Sequence, residues 1–158
     1  MSLTLPDANI SKVIGLLQVL AQHGGDHETF SLANDLQLHA ENFLPVTEAA
    51  ELLGFIAISG GRMKLTSEGR KAIAGGIRER RLAVKERLLL QPVFKKALEY
   101  LQRKNGRCSK KSFQKALLGD LPKPQAESTL RSVIGWGRHA SLIGYNSDTD
   151  EVFVSNSD

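Results

Sequence analysis

Four histidines, one cysteine and three glycine pairs are the residues from which this 158-residue chain could build chemistry. His23 and His27 flank Gly24-Gly25-Asp26, and His39 is near in sequence. A divalent metal needs its imidazoles on one helical face or in one tight loop. This spacing instead spans a helix end, so the expectation is loop histidines and no metal. His139 stands by itself after Trp136-Gly137-Arg138. The single Cys108 cannot close an internal disulfide or supply the thiol pair of a zinc site, and no histidine stands where it would activate a nucleophile. Glycine pairs 24-25, 60-61 and 75-76 are followed by Asp26, Arg62 and Ile77, which does not match the G-x-x-x-x-G-K-[ST] loop that cradles phosphates. No serine sits in a G-x-S-x-G elbow and no carboxylate pair stands out. The expectation is a non-enzymatic chain with no catalytic residue and no cofactor.

Composition excludes further classes. With 41% hydrophobic and 24% charged residues the chain has the balance of a folded globular protein. No apolar run approaches the ~18 residues of a membrane span, and the N-terminus lacks the basic and apolar regions of a signal peptide. These features predict a soluble protein of the reducing cytoplasm, without membrane insertion. The net charge of +4 is unevenly placed. Residues 1–75 carry 5 Lys/Arg against 8 Asp/Glu (−3), residues 78–115 carry 13 against 3 (+10), and residues 116–158 carry 3 against 6 (−3).

The apolar spacing predicts the elements that would hold such charges. Ile10, Val13, Ile14, Leu17 and Leu20 mark an amphipathic helix over 9–22 that Gly24-Gly25 ends. A short helix over Ser31–Leu38 follows, with Leu32, Ala33 and Leu36 inward. A longer helix from about Glu41 to Leu53 carries Phe43, Val46, Ala50 and Leu53, with Pro45 near its first turn. Phe55–Ile58 and Arg62–Leu65 read as two strands about a Gly60-Gly61 turn, after which Thr66 caps a new helix. Residues 67–91 read as largely helical, weakened or kinked at Gly75-Gly76, with Leu82 and Leu89 set against a basic face. Past Pro92 the programme repeats. Val93, Phe94, Ala97, Leu98 and Leu101 mark one helix; Ser109 caps a second with Phe113, Ala116 and Leu117. Ala126, Leu130, Val133 and Ile134 mark a third ending near Gly137, and strands Ile143–Asn146 and Glu151–Val154 flank Ser147-Asp148-Thr149-Asp150. Leu52-Leu53-Gly54-Phe55 and Leu142-Ile143-Gly144-Tyr145 echo one another before the two hairpins. The predicted fold is mainly α with small β-hairpins: tandem winged-helix-like units over 1–75 and 92–158, joined by a helical basic connector over 76–91.

Helix, helix, helix, hairpin raises the question of DNA, in which the third helix would enter the major groove. In the first half that helix offers Glu41, Glu48 and Glu51 and no cation; in the second it offers Gln125, Glu127 and Arg131, and the hairpin turn is acidic. Carboxylates repel phosphates, so the helices disfavour base reading. A basic surface from Arg62, Lys64, Arg78, Arg81 and Lys85 leaves room for non-specific phosphate contact, for a protein partner, for a homo-oligomer or for a merely solvated face.

Gly15-Leu16-Leu17, Leu52-Leu53-Gly54-Phe55, Leu65-Thr66-Ser67-Glu68-Gly69-Arg70 and Trp136-Gly137-Arg138-His139-Ala140 occur in an order that resembles the AAA-associated C-terminal domain family. The likeness runs from about Leu5 to Val154, and Trp136-Gly137-Arg138 is its most specific piece. It implies a cytoplasmic, non-catalytic regulatory or interaction domain of the ATP-binding subunit of an ABC transporter for nitrate, sulfonate, taurine or bicarbonate. The implied partners are the nucleotide-binding domain or the permease subunit of that transporter. A winged-helix DNA-binding transcriptional regulator is the alternative. The missing phosphate loop favours a domain cut from a longer ATPase, with Met1-Ser2-Leu3 as an added start, over a standalone relative. Trp136, Gly137, Arg138 and His139 then form either a partner-binding motif or a structural corner, with tryptophan in the core, glycine ending the helix and arginine bonding its last carbonyls.

Overall fold

A computed structural model of the chain describes residues 3–29, 31–32 and 40–155, with side chains from 43 onward in the last stretch. Among these residues helices dominate, and six short strands form two three-stranded antiparallel sheets. The chain divides into two compact units, Ala8–Val84 and a second made of Met1–Asp7 with Lys85–Asp158.

In the first unit α1 (Ile10–Gln22) starts at Asn9, whose side chain accepts the Ser11 N–H at 2.8 Å, and buries Ile10, Val13, Leu16, Leu17 and Leu20. A side-chain cap of this kind contributes about 1 kcal/mol. β1 (Asp26–Glu28) follows, then α2 (Ala40–Leu52), β2 (Ile56–Ser59) and β3 (Arg62–Leu65). Gly60 and Gly61 both take positive φ, as a tight hairpin turn requires. β3 lies between β1 and β2 in the sheet. Thr66 caps α3 (Ser67–Ile73): its hydroxyl accepts the Gly69 N–H at 3.0 Å and donates to the Gly54 carbonyl at 2.6 Å, tying the start of α3 to the end of α2. α4 (Ile77–Leu88) comes after Gly75, whose φ is +74°.

The second unit repeats the order with α5 (Pro92–Arg103), β4 (Arg107–Ser109), α6 (Lys110–Leu118), α7 (Lys123–His139), β5 (Ile143–Asn146) and β6 (Glu151–Val154), and again the last strand is the middle one. The repeat reaches the level of single hydrogen bonds. α1 and α5 both end on a left-handed residue, Gly24 (φ +81°) or Asn105 (φ +60°), with the next N–H reaching back to Leu20 or Leu101 at 2.9 and 2.7 Å. α2 and α7 end the same way: Phe55 N–H meets the Ala50 carbonyl at 2.9 Å past Gly54, and Leu142 N–H meets Gly137 at 2.8 Å past Ser141. These are closures in which a left-handed residue lets the chain satisfy carbonyls the helix leaves open. The pairing Ile56↔Leu65 matches Ile143↔Val154, so Gly54-Phe55 corresponds to Ser141-Leu142. The literal echo to Leu142-Ile143-Gly144-Tyr145 is therefore three residues out of register with the structural repeat.

Other sequence expectations shift for physical reasons. Pro45 sits inside α2, just past its first turn, and there it lacks the N–H that would donate one turn back. α7 runs past Gly137 to His139, because the helix stops where the left-handed Ser141 turns the chain. Leu82 is 52% exposed, whereas Ala83, Val84 and Leu88 are the buried residues of α4. The helical run over 67–91 breaks between Ile73 and Ile77, at the Gly75-Gly76 pair expected to weaken or kink it. Leu16 takes the core place expected of Ile14, which is half-buried. Of the short helix over Ser31–Leu38, Ser31 and Leu32 are helical and the remainder lies outside the described residues.

Candidate interaction surfaces

Trp136 is fully buried on α7, amid the core of Phe94, Leu130, Val133 and Ile143 that fills the second unit. Gly137 beside it is a packing residue: a methyl group there would come within 2.5 Å of Ile143 Cγ1, 2.9 Å of Ile143 Cδ1 and 3.4 Å of Phe94 Cε1. The absence of a side chain at Gly137 lets α7, α5 and β5 approach. Arg138 is exposed and His139 half-buried. The four residues are thus divided: two are core, and Arg138 reaches solvent from the last turn.

The predicted basic residues lie on two elements. Arg62 and Lys64 alternate on β3 and share one face of the sheet. Arg62 is already engaged by Asp26 on β1, Nε to Oδ1 at 2.9 Å, with both side chains about half exposed. At the equivalent place in the second sheet Arg107 on β4 pairs with Glu151 on β6 at 3.9 Å, so the repeat keeps the cross-strand pair and inverts its polarity. Arg78, Arg81 and Lys85 fall at three- and four-residue steps along one face of α4, Arg78 exposed and the other two half-buried. Ile77 and Leu82, 77% and 52% exposed, interrupt the charge. In the second unit the cations continue over Tyr100, with Arg103 and Lys104 at 5.9 and 5.6 Å from its ring, and over Tyr145, with Lys110 at 5.5 Å.

The two helices whose sequences raised the question of DNA carry few free cations among their described residues. On α2, Leu44, Glu48, Glu51 and Leu52 are exposed, and the side chain of Glu41 lies outside the described residues. On α7, Arg131 is held by Asp7, Nη2 to Oδ2 at 2.8 Å and Nε to Oδ1 at 3.5 Å. That bond and the Asp7 charge raise the guanidinium pKa above its ordinary value. Asp7 belongs to a segment that no local sequence signal marks. Leu5 is buried; its N–H donates to the Thr129 hydroxyl at 3.3 Å, and the Ser132 hydroxyl donates to the Pro6 carbonyl at 2.6 Å. In the second hairpin the Tyr145 hydroxyl donates to Asp150, a bond that raises the phenol's pKa.

The remaining chemistry-bearing groups are held quietly. The His23 and His27 rings lie 4.2 Å apart, and His27 Nδ1 accepts the Glu28 N–H at 2.9 Å. Among the described residues no group of three metal-ligating side chains comes together, and His39 is outside them. Cys108 is half-buried on β4; burial pushes its thiol pKa up, Lys104 pulls it down and Glu151 adds to the rise. No helix among the described residues is long and apolar enough to cross a membrane.

Among the described residues the chain is mainly helical, with two three-stranded antiparallel sheets and a packed Trp136 corner, and comparison with known families adds what this geometry does not. Residues 30–146, well over half of the chain, match the C-terminal AAA-associated domain. The chain belongs to that family, which points to an accessory domain of an ATPase-type protein. No curated protein and no solved structure matches it.

Proposed function

We propose that this chain is a regulatory or interaction domain of the ATP-binding subunit of an ABC transporter of the nitrate, sulfonate, taurine or bicarbonate type, acting in the cytoplasm without catalysis of its own. The family match carries the reading. The partners we infer are the transporter's nucleotide-binding domain and its permease subunit. Each unit then has a winged-helix arrangement, supported by the twofold occurrence of a short strand beside a hairpin in the order β1-β3-β2 and β4-β6-β5. The surfaces suit protein partners: α2 presents Leu44 and Leu52 among Glu48 and Glu51, and α4 presents Ile77 and Leu82 among Arg78 and Arg81. Mixed apolar and charged faces of this kind mark protein contacts. Removing the domain from its parent ATPase is expected to change ATP turnover or transport, and an unchanged parent would refute the regulatory role.

The strand order also favours a second reading, a winged-helix DNA-binding regulator. Acidic α2, the Asp7 clamp on Arg131 and the acidic turn at Asp148 and Asp150 weigh against it. A gel-shift series on random and upstream DNA decides between them. The account predicts no complex with sequence preference at any salt, and a tight, sequence-selective complex would overturn it.

A further inference from the structure

Residues 5–7 lie against α7, and the contacts they make form a ligand-like set. Leu5 buries its side chain to 6% exposure. Its N–H reaches Thr129, the Pro6 carbonyl takes the Ser132 hydroxyl, and the Asp7 carboxylate takes the Arg131 guanidinium through two nitrogens. Thr129 and Ser132 are 1% and 2% exposed, two of the three buried polar residues among those described. Both hydroxyls find partners on the segment. Each successive residue of the segment thus supplies a different kind of recognition: an apolar side chain, a carbonyl presented by a proline that has no N–H to satisfy, and a carboxylate. All of these contacts lie within the second unit.

We propose that the flank of α7 formed by Thr129, Arg131 and Ser132 is a peptide-binding site for an extended apolar-proline-carboxylate segment, and that Leu5-Pro6-Asp7 is its ligand in cis. A short peptide held by one buried side chain, two hydroxyl hydrogen bonds and one ion pair is seated reversibly, because its contacts are few and only one of its side chains is buried. The strap therefore exchanges with free peptide when its own anchor is weakened. Its coupling to a parent ATPase rests on the accessory-domain reading. The binding site itself stands without that reading.

The test is a trans-competition assay on the full chain. A labelled peptide spanning residues 3–9 is titrated by anisotropy into the wild type and into Leu5→Ser, which weakens the strap and leaves the seat intact. The expected result is at least about tenfold tighter binding to Leu5→Ser, since the cis strap competes at an effective concentration in the millimolar range. Binding should fall when Arg131→Asp is added and return with a peptide carrying Asp7→Arg. Should Leu5→Ser unfold the unit, the charge pair gives the same answer. Asp7→Arg and Arg131→Asp alone each raise hydrogen exchange at Leu5 N–H severalfold, and the double variant restores protection. Equal peptide affinity for wild type and Leu5→Ser, or affinity and protection indifferent to residue 131, would overturn the site. The turnover of a parent ATPase carrying Leu5→Ser tests the accessory role alone; binding with unchanged turnover would leave the site standing and remove the coupling.

Discussion

Gly137 and Trp136 decide what the Trp-Gly-Arg segment does. Trp136 is sealed in the core and Gly137 sits where a Cβ would press on Ile143 and Phe94. Gly137→Ala should therefore destabilise the second unit by about 1–3 kcal/mol, read as a lower Tm, because the close contact is with packed side chains of two other elements. Arg138→Ala, on an exposed side chain, should stay within about 0.5 kcal/mol. If the order were reversed, the segment would not be a packing corner. Cys108 gives a prediction of pH dependence. Its folded-state thiol pKa lies above the ordinary value, so the thiolate is scarcer near neutrality than in a free cysteine. Alkylation at pH 8 should be slower in the folded chain than in urea and should climb with pH beyond the range where a free thiol levels off. A folded-state rate equal to the unfolded one would contradict the burial argument.

Among the helix ends, the four left-handed closures are the repeat's clearest signature, and they differ in residue type. Gly24 and Gly54 take the conformation at little cost and Asn105 tolerates it, whereas Ser141 holds it with a Cβ, which costs roughly 1–2 kcal/mol. Ser141→Gly removes the crowding and adds unfolded-state entropy, so a net gain of about 0.5–1 kcal/mol and a higher Tm are expected. A fall in Tm would mean that the Ser141 side chain contributes contacts that outweigh its strain. The same elements show what could be read from sequence. Helices α1, α5 and α7 and both hairpins are legible because long apolar stripes and glycine or Asx turns carry them. β1 and β4 are not: Asp26-His27-Glu28 and Arg107-Cys108-Ser109 are three residues long, largely polar, and become strands only by pairing with β3 and β6. Leu82 misleads for a related reason, since α4 buries the small Ala83 and Val84, and its apolar spacing names no single face. The strap on α7 is illegible because its partners are some 124 residues away in sequence.

At the scale of the whole molecule, two copies of one arrangement place their charges differently. The first copy keeps Asp26–Arg62 where the second keeps Arg107–Glu151, and the acidic α2 has its counterpart in an α7 whose Arg131 is clamped by Asp7. Each pair is neutral as a whole, so the two sheets differ in which strand carries the cation. The charge distribution was legible in the sequence; the pairing that neutralises Arg62 and Arg131 was not, because it depends on register and on the return of the N-terminal segment. What the family membership adds is the kind of host, an ATPase-type protein. The central claim, that the domain tunes that host without chemistry of its own, is tested most directly by steady-state ATP turnover of the parent protein with the domain present, deleted, and added back as this separate chain. A regulatory domain changes the rate on deletion and restores it at least in part on addition; identical turnover and transport in all three states would rule that role out.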